Sequence, residues 1–218
     1  RRMLMKKGCI LCLLISVISL PLIAQNIIYS NLKELLTQHG DTTAVLRVEK
    51  RSRNQIVLTG GADYRITAGD DESMCRRLKK RCFAVRDEKG NLYLNCRKLR
   101  YKKLRFGAWY APAVQLGKNI YFCAMPLGSV IGGNFVEEDD VKLGGNIGDA
   151  LAASSLVTKR VCYELNGETG KVDFLGKDRM LQLLKNYPEL KQAYLKDDSQ
   201  EAKHTFKYLL ELQNKQKK

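Results

Sequence analysis

The densest chemistry in this chain is cationic. Between Cys75 and Arg105, thirteen Lys and Arg stand against Asp87 and Glu88. Most lie in two runs, Arg76-Arg-Leu-Lys-Lys-Arg81 and Arg97-Lys-Leu-Arg-Tyr-Lys-Lys-Leu-Arg105, with Tyr101, Phe106, Trp109 and Tyr110 close by. Cations beside aromatic rings suit an anionic polymer or surface, because the charges neutralise phosphate or carboxylate while the rings supply flat contact area. The candidate binding residues are therefore Arg76, Arg77, Lys79, Lys80, Arg81, Arg97, Lys98, Arg100, Lys102, Lys103 and Arg105, together with Trp109. The plain alternative is a solvated basic edge whose lysines guard a strand against aggregation.

Catalytic patterns are thin. The chain has two histidines, His39 and His204, one expected in a leading helix turn and one in the last helix, so no Cys-His or Ser-His-Asp constellation and no zinc site is drawn together by spacing. Glu137-Glu-Asp-Asp140 and Asp70-Asp-Glu72 offer hard oxygen ligands but lack the D-x-D-x-D-G order of a calcium loop, and they read as solvated turns. No catalytic residue, metal or cofactor is expected. Carboxylates are plentiful, so a hydrolase acting on envelope glycans or peptides stands as the alternative function, its carboxylate pair unidentified.

The first residues carry a second kind of information. Lys6-Lys7, the uncharged run from Gly8 to Ala24 broken by Pro21, and then Gln25 follow the basic, apolar, small order of a secretory signal. We expect a signal over residues 1–25, processed after Ala24, with translation starting at Met3 or Met5. The chain is then exported, to the periplasm, the outer membrane or beyond. The formal charge falls from +15 to +11 without the four cations of that segment, and residues 75–105 account for all of it. Five cysteines remain, Cys75, Cys82, Cys96, Cys123 and Cys162, which allows one or two disulfides and leaves at least one thiol over, with pairing not readable from spacing.

The elements that must hold these groups read as α+β. Leu32, Leu35 and Leu36 predict a short helix ending at Gly40. Alternation predicts strands at 44–49, 55–58 and 64–67. Three hairpins follow: residues 81–86 with 92–96 around Gly90, 109–116 with 120–125 around Gly117-Lys-Asn119, and 160–165 with 171–174 around Asn166–Gly170. Consecutive hairpins make an antiparallel sheet, not a parallel nucleotide-binding one. The glycine-rich stretch from Leu127 to Leu156 reads as a long loop. Beyond it, Met180, Leu183, Leu184 and Tyr187 behind a cap at Asp178 predict a helix, Pro188 starts another, and Phe206, Leu209 and Leu210 mark a further apolar face. The expected organisation is a mainly antiparallel β domain over residues 26–176 and a helical segment over 177–218 packed on it.

Four segments carry a resemblance: Phe106-Gly-Ala-Trp-Tyr-Ala-Pro112, Ile120-Tyr-Phe-Cys-Ala-Met-Pro-Leu-Gly-Ser-Val130, Cys162-Tyr-Glu-Leu-Asn-Gly-Glu-Thr-Gly-Lys-Val172 and Leu183-Leu-Lys-Asn-Tyr-Pro-Glu-Leu190. Over roughly residues 80 to 212 the layout resembles small secreted proteins of unknown function from Gram-negative bacterial envelopes. That resemblance implies no activity. The expectation from the residues themselves is a non-enzymatic envelope protein that binds an anionic component or a protein partner, with peripheral membrane contact and without nucleic acid. A purely structural subunit, docking through Phe206, Leu209 and Leu210, is a further possibility. Oligomeric state is not readable.

Overall fold

The computed structural model describes residues 25–43, 45–52, 54–56, 61–102, 104–125, 160–197 and 202–217. The expected signal up to residue 24, the glycine-rich stretch 127–156 and its acidic run Glu137–Asp140 lie outside them. In chain order the strands are β1 (Asn26–Tyr29), β2 (Asp41–Thr43), β3 (Arg47–Lys50), β4 (Tyr64–Thr67), β5 (Ala84–Arg86), β6 (Leu92–Asn95), β7 (Arg100–Tyr101), β8 (Leu104–Arg105), β9 (Tyr110–Leu116), β10 (Asn119–Ala124), β11 (Val161–Leu165) and β12 (Val172–Phe174). The helices are α1 (Leu32–Thr37), α2 (Glu72–Lys80), α3 (Lys177–Leu183), α4 (Pro188–Lys196) and α5 (Ala202–Gln216).

Turn chemistry builds the sheet. The three expected hairpins form as β5–β6, β9–β10 and β11–β12, each antiparallel. Gly90, at φ 82°, supplies the left-handed residue of the first loop, where Asp87 Oδ1 accepts from the Lys89 and Asn91 amides. The strands join in the order β12-β11-β10-β9-β6-β5-β1-β2, and β9 also pairs with β4, which pairs with β3. All pairings are antiparallel, so the fold is α+β as expected. A separate two-stranded ladder, β7–β8, follows a 3-10 turn at Cys96–Lys98.

Both faces of this sheet are covered. On one face Tyr29, Ala84, Leu94, Ala111, Phe122 and Tyr163 meet Leu35 of α1 and Leu99, Tyr101 and Phe106 of the β7–β8 region. The other face divides in two. Ile28, Val85, Tyr93 and Tyr110 pack against Ile66 of β4 and Leu78 of α2, while Val114, Leu116, Tyr121, Cys123 and Cys162 pack under Met180, Leu190, Leu209 and Leu212 of the last three helices. Cys123 and Cys162 are register partners on β10 and β11 and form a disulfide. Both of its sulfurs lie against the Ala202 carbonyl at the start of α5. Cys75, Cys82 and Cys96 are free thiols.

Several expectations need correction. Helix α1 stops at Thr37, where Gln38 takes the left-handed conformation. Gly40 lies beyond the helix, at a spot where a Cβ would come within 2.6 Å of the Ile27 side chain and the Ile28 carbonyl. Residues 54–56 form a helical turn instead of opening a strand at 55–58, because Ser52 and Gln55 cap it reciprocally. Asp178 sits inside the first turn of α3, whose cap position is Gly176. Leu209 is fully buried against the chain's own sheet and Leu210 faces outward at 40 %, so these two side chains do not share one free docking face. Strands β1, β2, β7 and β8 went unforeseen, as did helix α2. That helix begins at Asp71, whose carboxylate accepts from the Met74 amide, with Glu72 in its first turn and Arg77, Lys79 and Lys80 in its last, as the helix dipole favours.

Reducing the disulfide, or the C123A/C162A change, is expected to lower unfolding free energy by about 3 to 4 kcal/mol, because the bond closes a loop of sequence separation 39 in the unfolded chain. Denaturant unfolding with and without reductant measures this. An unchanged midpoint would mean that strand and helix packing hold β10 to β11 unaided.

Candidate functional site

Helix α2, strand β4, the residue after β3 and the residue preceding β9 bring an aromatic ring and three cations together. Trp109, the sole tryptophan, has its ring centroid 5.7 Å from the Arg51 guanidinium, 5.6 Å from that of Arg65 and 5.7 Å from Lys79 Nζ. Arg65 and Lys79 are exposed and Trp109 is partly exposed. Arg51 is buried and fixed, with Nη1 donating to the Ala62 carbonyl at 2.8 Å and Nη2 to the Gln55 carbonyl at 2.9 Å. Glu49 is the register partner of Arg65 across β3–β4.

The backbone holds the ring in place at a conformational cost. Trp109 has φ 81°, rare for a bulky side chain, and Gly107 precedes it at φ 75°. The Trp109 carbonyl accepts from Cys96 N at 3.0 Å, and the Ala108 carbonyl accepts from Ala62 N at 3.1 Å. That second bond requires Gly61. At φ +86° it approaches so closely that a Cβ there would lie 2.2 Å from the Ala108 oxygen and 3.3 Å from Arg51 Nη1.

Behind the ring lies Asp63, buried and ion-paired to Arg160. Burial raises its pKa, and the attraction of Arg160, Lys50 and Arg51 offsets part of that rise. Glu164, further along β11, has the opposite balance. Burial alone would raise its pKa, but bonds from Arg179 Nε and Nη2, each 2.8 Å, from Tyr121 Oη at 3.0 Å and from Asn119 Nδ2 at 2.6 Å hold it below the usual carboxylate value. This network ties α3 to the sheet.

The remaining chemistry is spent on structure. Burial pushes the thiol of Cys82 up to about 11 and that of Cys96 to about 12, so neither is a thiolate near neutrality. The ring nitrogen Nδ1 of His39 lies 2.6 Å from the Thr37 carbonyl, and that of His204 lies 2.9 Å from Asp197 Oδ2. Among the described residues no three His, Cys, Asp or Glu side chains gather as metal ligands, and no helix is long and apolar enough to cross a membrane.

The sequence-predicted cations divide between the two faces of the sheet. Arg76, Arg77, Lys79, Lys80 and Arg81 lie on or directly after α2, whose Leu78 packs with Tyr110 on one face. Arg77 is engaged by Asp41 and Ser30. Arg97 and Lys98 lie in the 3-10 turn, and Arg100, Lys102 and Arg105 in the β7–β8 hairpin, whose Leu99 and Tyr101 pack on the opposite face. Lys103 lies outside the described residues. The structure thus brings Lys79 onto the Trp109 ring, and among the described residues no cation of the second run stacks there. Arg51 and Arg65 were missed. Arg65 alternates with the buried Ile66 in β4, and Arg51 lies in the short basic run Arg47-Val-Glu-Lys-Arg-Ser-Arg53, so both carried a local pattern.

These features define an antiparallel α+β protein with a preformed cluster of one aromatic ring and three cations. The chain belongs to a family of unknown function, DUF6563, whose model matches residues 27–216. That match extends beyond residues 80–212 to take in β1 to β4. No curated protein and no solved structure matches the chain.

Two outcomes test this geometry. The G61A change is expected to displace the 107–109 segment and cost roughly 1 to 3 kcal/mol through steric and backbone strain. Fluorescence of the single tryptophan and a melting curve read both effects. For Glu164, a depressed folded pKa means stability that is fully present above the ordinary value of 4.5 and lost as pH falls through the folded value. E164Q is therefore expected to be less stable than wild type at neutral pH, with the difference closing in acid. A constant difference across pH 2 to 7 would remove the charged network as its cause.

Proposed function

We propose that this chain is an exported, non-enzymatic binding protein that holds an anionic envelope component against the cation-ringed face of Trp109. The observation that carries this reading is the placement of Arg51, Arg65 and Lys79 within 5.6 to 5.7 Å of one partly exposed indole ring on a strained backbone. A ring flanked by positive charge offers an anion both countercharge and a flat apolar surface, while Arg76, Lys80 and Arg81 extend the field along the same helix. Asp63 balances part of that charge from beneath, where Arg160 already engages it.

Export is supported by two independent features. The N-terminal order of basic, apolar and small residues is that of a secretory signal. The buried Cys123–Cys162 bond is of a kind that forms and persists in oxidising compartments.

The test is co-sedimentation of the chain with anionic envelope membranes at low and high salt. Binding that weakens with salt is expected, and R65E/K79E should weaken it at least tenfold while the protein stays folded, with a lowered melting temperature because Glu49 then faces a like charge and two contacts to Trp109 are lost. Equal binding by that variant, with equal salt dependence, would rule the Trp109 face out.

A further inference from the structure

We propose that the groove between the β7–β8 hairpin and the outer strand β12 is a second anion site, shaped for a phosphomonoester or diphosphate group and independent of the Trp109 face. The groove is open, about 360 Å³, and is lined by Leu99, Arg100, Lys102, Lys171, Val172 and Asp173. Leu99 and Val172 are buried in the core, and Arg100, Lys102 and Lys171 are exposed above them. Its volume lies in the range of small-ligand sites.

Three observations point to a multiply charged anion. First, Arg105 is the register partner of Arg100 across the β7–β8 ladder. Like charges directly opposite destabilise a strand pair, and this ladder has two residues per strand with which to absorb the cost. A phosphate removes the repulsion, because adjacent guanidinium groups each present a planar fork of donors to its oxygens. Second, Asp173 also lines the groove and Arg105 lies beside that groove on β8, yet among the described residues no carboxylate forms an ion pair with Arg100, Lys102, Arg105 or Lys171, whereas Arg77, Lys118, Arg160 and Arg179 each have one. Third, Lys102 occupies a left-handed turn position, φ 52°, where Asn, Asp or Gly is conformationally preferred. Its ammonium lies 5.5 Å from the Tyr101 ring centroid.

The platform is rigid. Tyr101 tilts against Tyr163 at 5.6 Å, and Phe106, just past the hairpin, meets Tyr163 at 4.7 Å and Phe122 at 5.5 Å, edge to face. The cations come from two segments about seventy residues apart in sequence, which the fold brings to one rim. Because these rings pack on the sheet face opposite α2, the groove and the Trp109 cluster do not share a surface.

A soluble compound and a lipid headgroup both present this phosphate chemistry, and the experiment separates these sources. Titration calorimetry of the full chain with inorganic diphosphate is paired with flotation on phosphatidate and phosphatidylglycerol vesicles, for wild type, R100S/R105S and R65E/K79E. Diphosphate binding weakened at least tenfold in R100S/R105S and unchanged in R65E/K79E supports the site with a soluble ligand. Flotation on phosphatidate vesicles in excess of that on phosphatidylglycerol vesicles of equal charge, lost in R100S/R105S and kept in R65E/K79E, supports it with a lipid ligand, whereas flotation common to both vesicles belongs to the Trp109 face. The ligand-free R100S/R105S protein should melt no lower than wild type, which separates lost binding from lost folding. The proposal is overturned if wild type binds neither probe, if R100S/R105S binds as well as wild type, or if the loss follows R65E/K79E instead.

Discussion

Closure of the sheet on both faces is the constraint from which the other features follow. Antiparallel sheets often leave one face to water and then show alternating polar and apolar residues. Here β6 and β11 are buried at every position, because α1 and the β7–β8 region cover one side while α2 and the last three helices divide the other. Each polar group caught between these layers then needs a partner, since an unsatisfied one costs about 1 to 3 kcal/mol. Asn95 gives its amide to the Leu78 and Cys82 carbonyls, Tyr110 donates to Leu78 O, and Glu164 gathers Arg179, Tyr121 and Asn119. Each of these clusters holds a covering helix to the sheet, α2 through Leu78 and α3 through Arg179.

The same closure explains which parts of the fold could be read from the sequence. Hairpins were legible because turn residues are local signals and the flanking apolar runs are short. Gly90 and the stretch Asn166–Gly170 mark their loops without reference to any distant contact. Helix α2 was obscured by its own charge. Seven consecutive residues from Cys75 include five cations, and Leu78 is the one among them that is fully buried. A basic run reads as a solvated segment unless the cap at Asp71 is given more weight than the composition. Strand β1 was hidden for a different reason: four residues, paired on both sides between β5 and β2, carry too few positions to separate period 2 from the helix beside them.

The site was legible in part for a related reason. Composition located the charge correctly but could not say which side of the sheet each cation would occupy. The chain crosses the sheet between Arg81 and Arg97 through the β5–β6 hairpin, and one contiguous basic region becomes two surfaces. Meanwhile Arg51 and Arg65 arrive at Trp109 from outside the main basic region, through the β3–β4 pairing and the Tyr64 to Tyr110 contact with β9. Spatial charge depends on strand order, and strand order is long-range information.

At Trp109 local preference and the global fold disagree, and the disagreement can be weighed. A left-handed backbone at a bulky residue costs roughly 1 to 3 kcal/mol. Each cation beside an aromatic ring returns about 0.5 to 1 kcal/mol at exposed sites and more when desolvated, so three such contacts are of the same size as the strain. The Gly61 approach and the Cys96 to Trp109 hydrogen bond then fix the geometry from the backbone side. The cluster is thus held by the protein itself: Arg51 is fixed by its two carbonyl bonds, and Arg65 and Lys79 rest on the ring. Under the proposed function such placement lowers the cost of ordering side chains on binding, the usual loss when exposed lysines and arginines are drawn to a ligand.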